Sequence, residues 1–388
     1  MPIRKKNANG SGTIRQRKDG RWEGIYSVAA VDGGGKYIRK SIYGKTKDEV
    51  RRKLTSITCE IDEGTYVMPT QTTLSEWLKN WLDIYVKPTV KDFTYDSYFS
   101  ICNNHIIPAI GNIKLKDLRT IHIQKFYNEL LHQKELSGKT VKNIHGVLHK
   151  ALEQAYSVGE IKANPANKCV LPKVHRPKIK PFENEDIKRF LNEIKGHKYE
   201  TVYYLTLFSG LRQGEVLGLT WDCVDFNNHF LLINKQLKRT SHHKGSTYQL
   251  DLTKNGKERY IPIAPAVVEM LLKQKQWQEH CAELADDIWD NSMNLVFTDE
   301  IGNHLCHATV YNNYKRIVKN LGLDKMRFHD LRHTYAVASI ESGDDIKTVQ
   351  NNLGHATASF TLDVYGHVSR QMSLKSAQNM QNFINSVS

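Results

Sequence analysis

The sequence is 388 residues long, 40% hydrophobic and 25% charged, enough apolar material for two to four domains at roughly 100–200 residues each and not a disordered composition. Lys and Arg outnumber Asp and Glu 55 to 41, a net charge of +14, which points to a polyanionic partner, with a solvated basic surface as the alternative. No apolar run reaches the ~18 residues of a membrane span, the basic start at Met1–Lys6 has no apolar run after it and reads as no signal peptide, and six dispersed cysteines without C-x-x-C spacing point to a reducing cytoplasm without disulfides or zinc modules.

Residues 1–66 hold 15 Lys and Arg against 8 Asp and Glu, half the net charge in a sixth of the chain. Alternating runs at 12–18, 21–28 and 36–43 are separated by Asp19-Gly20 and by Asp32 followed by three glycines, both hairpin signals. Thr46 with Glu49 three residues on predicts a capped helix running to about Ile61. A three-stranded sheet packed on one helix is expected. Its strands carry Arg15, Arg17, Lys18, Arg21, Trp22, Arg39 and Lys40. Guanidinium groups beside an aromatic ring on a sheet face suit a DNA groove; the alternative is a solvated face.

A linker is expected around Met68–Gln71. Beyond it, Leu74, Trp77, Leu78, Trp81, Leu82 and Tyr85 recur at the spacing of one helix face. Further helices near 93–107, 119–133 and 139–157 complete a bundle with an aromatic core. Lys139, Lys142, His145, His149 and Lys150 lie near one face of its last helix, either following phosphates or simply solvated. Four prolines (Pro165, Pro172, Pro177, Pro181) among basic residues then predict a stiff, extended connector.

From 182 onward, helices are expected at 184–195, 199–209 and 212–218. Strands at 230–233, 248–253 and 258–263 follow, the last two joined as a hairpin through Asn255-Gly256. Helices resume at about 265–285, 308–320, 330–342, 345–352 and 359–366. The tail from about Ser369 carries Met372, Leu374, Met380, Phe383 and Ile384, which dock either on a neighbouring protomer or on the chain's own core.

No Walker-type loop, G-x-S-x-G, H-E-x-x-H or EF-hand pattern occurs. What remains is a series of basic residues ending in a tyrosine. Arg212 stands at a glycine-rich helix start with Glu215 one turn on, Lys254 beside the tight turn, and His329 with Arg332 on one helix face. His355 and Tyr365 come after them. Each fragment alone recurs by chance; the ordered combination is what carries weight.

Together G-L-R-x-G-E at 210–215, T-K at 253–254, H-D-L-R-H-T at 329–334, L-G-H at 353–355 and Tyr365 resemble the tyrosine recombinases, the phage-integrase family of DNA strand-exchange enzymes. Asn255 stands where many relatives have threonine. The resemblance implies a multidomain chain, mainly α with small antiparallel sheets: 1–66 an arm-site DNA-binding domain, 70–165 a core-binding helical domain, 175–388 a catalytic domain with a C-terminal tail. By the same resemblance Tyr365 attacks DNA and forms a 3′-phosphotyrosine. Arg212 and Arg332 hold phosphate oxygens, Lys254 is the general acid, His329 assists proton transfer, His355 bonds a phosphate oxygen and Glu215 positions its neighbours. Arg15, Arg17, Lys18, Arg21, Trp22, Arg39, Lys40 and Lys142 are the expected DNA contacts. No metal or other cofactor is implied. The partners implied are double-stranded DNA at core and arm sites, three further protomers in a tetramer, an excisionase and a DNA-bending host protein. The function implied is integration and excision of a phage or conjugative transposon. A type IB topoisomerase and a non-catalytic DNA-binding regulator are the alternatives. The basic sheet domain argues against the first and the complete residue set against the second.

Overall fold

The computed structural model describes residues 12–29, 37–63, 66, 71–174, 181–240, 247–253, 256–354 and 369–387. The chain forms two compact units, Met1–His175 and Arg176–Ser388.

The first unit opens with strands β1 (Thr13–Gln16), β2 (Trp22–Ala29) and β3 (Tyr37–Gly44), antiparallel in that order, followed by helix α1 (Lys47–Asp62). Thr46 Oγ1 accepts from the Glu49 N–H, while the Glu49 carboxylate reaches one residue further back, to the N–H of Lys45. The cap is therefore half the expected box. Val50 and Leu54 of α1 are buried against β2, and Gly24 leaves room for Val50, since a Cβ there would stand 2.8 Å from it.

Helix α2 (Leu74–Asn80) opens with a complete capping box between Thr73 and Glu76 and runs on through a π-helical turn, Trp81–Val86. Helices α3 (Asp92–Ile101) and α4 (Ile107–Ile110) are likewise bridged by a π turn, Cys102–Ile106. With α5 (Thr120–His132) and α6 (Gly138–Ser157) they enclose Leu74, Trp77, Leu78, Trp81 and Leu82, as the spacing predicts. Trp77 donates its indole N–H to the Ala151 carbonyl at 2.8 Å, so the buried ring loses no hydrogen bond. The π turns each let one extra residue into the helix without ending it; nothing in the sequence announces them.

The second unit is built on α7 (Asn184–Ile194), α8 (Glu200–Ser209) and α9 (Gln213–Leu217). Strands β4 (Val224–Asp225), β5 (Phe230–Ile233), β6 (Lys235–Arg239), β7 (Tyr248–Leu252) and β8 (Arg259–Pro262) follow, then α10 (Pro265–Ala285), α11 (His307–Asn320), α12 (Phe328–Ser342), α13 (Ile346–Leu353) and a last helix, Ser369–Val387. Phe190, Tyr203, Tyr314 and Phe328 stack edge-on at its centre. The helix expected at 359–366 lies outside the described residues.

The strands pair differently from the expected β7–β8 hairpin. β7 pairs with β6, and β8 pairs with β5, giving sheets β4-β5-β8 and β6-β7. Ile233 faces Arg259 and Lys235 faces Leu252. One residue, Asn234, thus separates the two ladders on the outgoing strand, and six, 253–258, separate them on the return. The Asn-Gly signal is local and marks a turn; the register belongs to β6, whose Lys-Gln-Leu-Lys-Arg sequence shows little apolar alternation. Gly218 lets β6 lie on the end of α9, because a Cβ there would meet the Leu237 nitrogen at 2.2 Å.

Candidate active site

Two helix ends and one strand converge in the second unit. Helix α8 ends at Gly210 with φ +65°, and α13 ends at Gly354 with φ +63°, left-handed caps that glycine adopts without strain. Their terminal carbonyls lack intrahelical partners and carry the negative end of the helix dipole. Guanidinium groups fill this role. Arg332, on α12 and 1% exposed, donates to the Gly210 carbonyl at 2.7 Å and the Leu353 carbonyl at 2.5 Å. Arg212, just ahead of α9, donates to the Gly354 carbonyl at 3.3 Å. Arg259, the first residue of β8, donates to the Asn352 carbonyl at 2.8 Å.

Glu215 joins two of these arginines. Its Oε1 accepts from Arg212 at 2.7 Å and Arg259 at 3.2 Å. Its Oε2 accepts from Arg259 at 2.7 Å and from the Arg212 backbone N–H at 3.0 Å. Burial alone would raise its pKa, but the hydrogen bond and charge of Arg259, then the charge of Arg212, bring it down to about 2. Arg212 is the solvent-facing member of the group, with 29% of its side chain exposed.

Helix α12 starts at a cap in which the Arg327 backbone N–H and guanidinium both donate to Asp330. That start fixes His329 and Arg332 three residues apart on one helix. His329 is exposed, and its ring meets that of buried His333 edge-on at 4.8 Å. Desolvation by the packed chain, then the charges of Arg332 and Arg212, lower the His329 pKa, an effect that solvent tempers at an exposed ring. The imidazole is therefore neutral near pH 7 and open to a proton.

Of the six expected catalytic residues, Arg212, His329 and Arg332 come together here; Lys254, His355 and Tyr365 lie outside the described residues. Glu215, which the sequence reading gave a positioning role, lies buried between Arg212 and Arg259. Arg259 was missed. Its signal is parity: in the run from Arg259 to Ile263 the buried residues are Ile261 and Ile263, so Arg259 is a charged side chain on the inward face of its strand.

The expected DNA contacts of the first unit divide between two faces. Arg15, Glu23 and Tyr43 stand opposite one another across the strands. Arg15 donates to Glu23 at 2.7 Å, and the guanidiniums of Arg17 and Arg21 lie 5.6 and 5.9 Å from the Tyr43 ring centre. Arg39 shares that face by alternation. Trp22 and Lys40 alternate to the other face, where the Lys47 ammonium stands 5.7 Å from the Trp22 ring, so the seven residues do not form one surface. Lys18 is in the β1–β2 turn, and Lys142 is exposed on α6. On the same helix His145 bonds Tyr127, His149 bonds Asn167 and Lys150 donates to Tyr98.

Comparison with known proteins supplies the family. The phage integrase family matches residues 178–372, and the phage integrase N-terminal SAM-like domain matches 73–131. A protein named tyrosine recombinase XerC-like, from Caldanaerobacter subterraneus, is 32% identical over 353 residues, covering 87% of this chain and 90% of that one. The ICEBs1 integrase of Bacillus subtilis is 27% identical and covers 71% and 73%. A solved structure of the Tn1549 transposon integrase with a circular intermediate DNA shares the fold at TM-score 0.67 and 20% identity, over 80% of this chain and all of that one. With a family match over half its length and a relative that runs nearly end to end beside it, this chain belongs to the phage integrase family and is a tyrosine recombinase.

Proposed function

We propose that the protein is the site-specific recombinase of a mobile genetic element, integrating and excising it through a 3′-phosphotyrosine intermediate. The observation that carries the reading is the convergence of Arg212 and Arg332 at the ends of α8 and α13, with His329 on α12 within electrostatic reach of both. The Tyr365 hydroxyl attacks phosphorus, the bond from phosphorus to the 5′-oxygen breaks, and the phosphate stays on the tyrosine. The tyrosine proton passes to neutral His329. Lys254 protonates the departing 5′-oxygen. Arg212 and Arg332 balance the charge that builds on the non-bridging oxygens, with His355 bonding one of them. Attack by a 5′-hydroxyl from a second duplex runs the step backwards and joins the new partners. Bond energy is conserved, so no nucleotide cofactor is consumed, and the guanidinium charges act where a metal ion acts in other phosphoryl-transfer enzymes.

Strand exchange needs four cuts, hence four protomers on two duplexes. The catalytic unit works at core sites, and the Arg15, Arg17, Arg21 and Tyr43 face of the N-terminal sheet binds separate arm sites. An excisionase and a DNA-bending host protein set the direction, in the cytoplasm. The ICEBs1 and Tn1549 relatives support the mobile-element part of the reading.

The test is a nicked duplex carrying the element's attachment core. Wild-type protein is expected to leave a denaturation-resistant protein–DNA adduct, in excess EDTA as well as without it. Tyr365→Phe is expected to bind the duplex and leave none. An adduct from that variant would put the nucleophile elsewhere, and a divalent-ion requirement for cutting would remove the arginine-based mechanism.

A further inference from the structure

We infer that Arg259 is a positioning residue whose charge neutralises Glu215 and so leaves the charge of Arg212 available to a DNA phosphate. The inference rests on the recombinase reading above and concerns a residue that the sequence motifs pass over.

Glu215 has 1% of its side chain exposed and lies between two guanidiniums. A buried carboxylate beside a single arginine forms a neutral pair, and a neutral pair is a weak partner for a third, anionic group. Here the trio of Arg212, Glu215 and Arg259 carries one net positive charge. The geometry decides where that charge is presented. Arg259 gives Glu215 two nitrogens, at 2.7 and 3.2 Å, and has 12% of its side chain exposed. Arg212 gives it one side-chain nitrogen and is the more exposed of the two. Glu215 is thus satisfied mainly from the inner side, and the surplus charge faces outward on Arg212.

Arg259 is fixed for this role from three directions. Its Nε–H is held by the Asn352 carbonyl at the end of α13. Its guanidinium packs on Gly354, where a Cβ would stand 3.2 Å from it. Its backbone pairs with Ile233. One side chain thus ties the end of α13 to the carboxylate partner of Arg212.

A structural clamp and a charge-balancing residue respond differently to loss of the carboxylate, and that difference is the test. In full-length protein, Arg259→Gln keeps hydrogen-bonding capacity but removes the charge; Arg259→Lys keeps the charge but removes the fork. The double variant Glu215→Gln with Arg259→Gln removes both opposing charges. Single-turnover cleavage of the nicked attachment duplex is read, with a thermal melt to score folding. Arg259→Gln is expected to slow cleavage by about 10²–10³, the scale of one lost electrostatic stabiliser. Arg259→Lys is expected to stay within about tenfold of wild type, and the double variant to recover at least about tenfold over Arg259→Gln. A double variant no faster than the single one, or a charge-conserving lysine as slow as glutamine, would overturn the inference in favour of a clamp. Cleavage at the wild-type rate by Arg259→Gln would also overturn it. Absence of an adduct from wild-type protein removes the recombinase reading itself, an outcome distinct from any of these.

Discussion

His329 and His333 sit one turn apart on α12, and the same neighbourhood gives them different consequences. Exposed His329 is the proton acceptor of the proposed mechanism; His333 is 4% exposed, and burial, then the charge it would share with His329, pushes its pKa down to about 4. An unfolded histidine titrates near 6.5. Between these values the unfolded chain binds the proton and the folded chain does not, so stability is full above pH 6.5 and is lost as pH falls toward 4. Melting temperature is expected to drop across that window, with a shallower slope in His333→Asn; an equal slope in the variant would assign the loss to other groups. At this scale the site was partly legible. Arg212, Glu215, His329 and Arg332 could be read from the sequence because each belongs to a short run with fixed spacing to its neighbours. Arg259 could not, because its meaning depends on the distant carbonyl of Asn352 and on which face of β8 turns inward. The N-terminal arginines were legible as a class, but strand alternation sends Trp22 and Lys40 to the opposite side from Arg15.

Among the elements, the longer helices follow from periodicity and caps, while strand pairing does not. A hairpin signal reports where a chain turns, not which strand it then joins. The consequence for Lys254 is specific. Residues 253–258 separate the end of β7 from the start of β8 in sequence, and Thr253 donates its hydroxyl to the Lys257 carbonyl at 2.8 Å. If Lys254 donates the proton to the leaving oxygen, Lys254→Ala slows cleavage by about 10²–10⁴. A bridging 5′-phosphorothiolate substrate is expected to restore that variant toward the wild-type rate, since a thiolate leaves without protonation. Arg212→Ala is expected to stay slow on the same substrate. Failure of sulfur to rescue the lysine variant would transfer the acid role to Lys257 or leave the segment with a structural role.

For the whole molecule, the division of charge is the informative quantity. Half of the +14 lies in residues 1–66, and the sheet collects Arg15, Arg17 and Arg21 around Tyr43 on one face. Each phosphate contact steepens the fall of log affinity with log salt by about 0.9. Removing residues 1–66 is therefore expected to weaken binding to arm-site DNA and flatten its salt dependence, while covalent cleavage at the core site persists. Loss of both together would make the segment part of the catalytic fold. The boundary between the two compact units, His175 to Arg176, falls within the sequence stretch that carries Pro165, Pro172, Pro177 and Pro181.

The step in the β ribbon has a practical corollary. Five residue pairs on one side of it and four on the other keep their register without help from residues 254–258. On the proposed reading of Lys254 as the acid, shortening or rewriting that stretch is expected to give a protein that still folds and occupies its sites but cuts them slowly, a resident that blocks the movement of the proposed element.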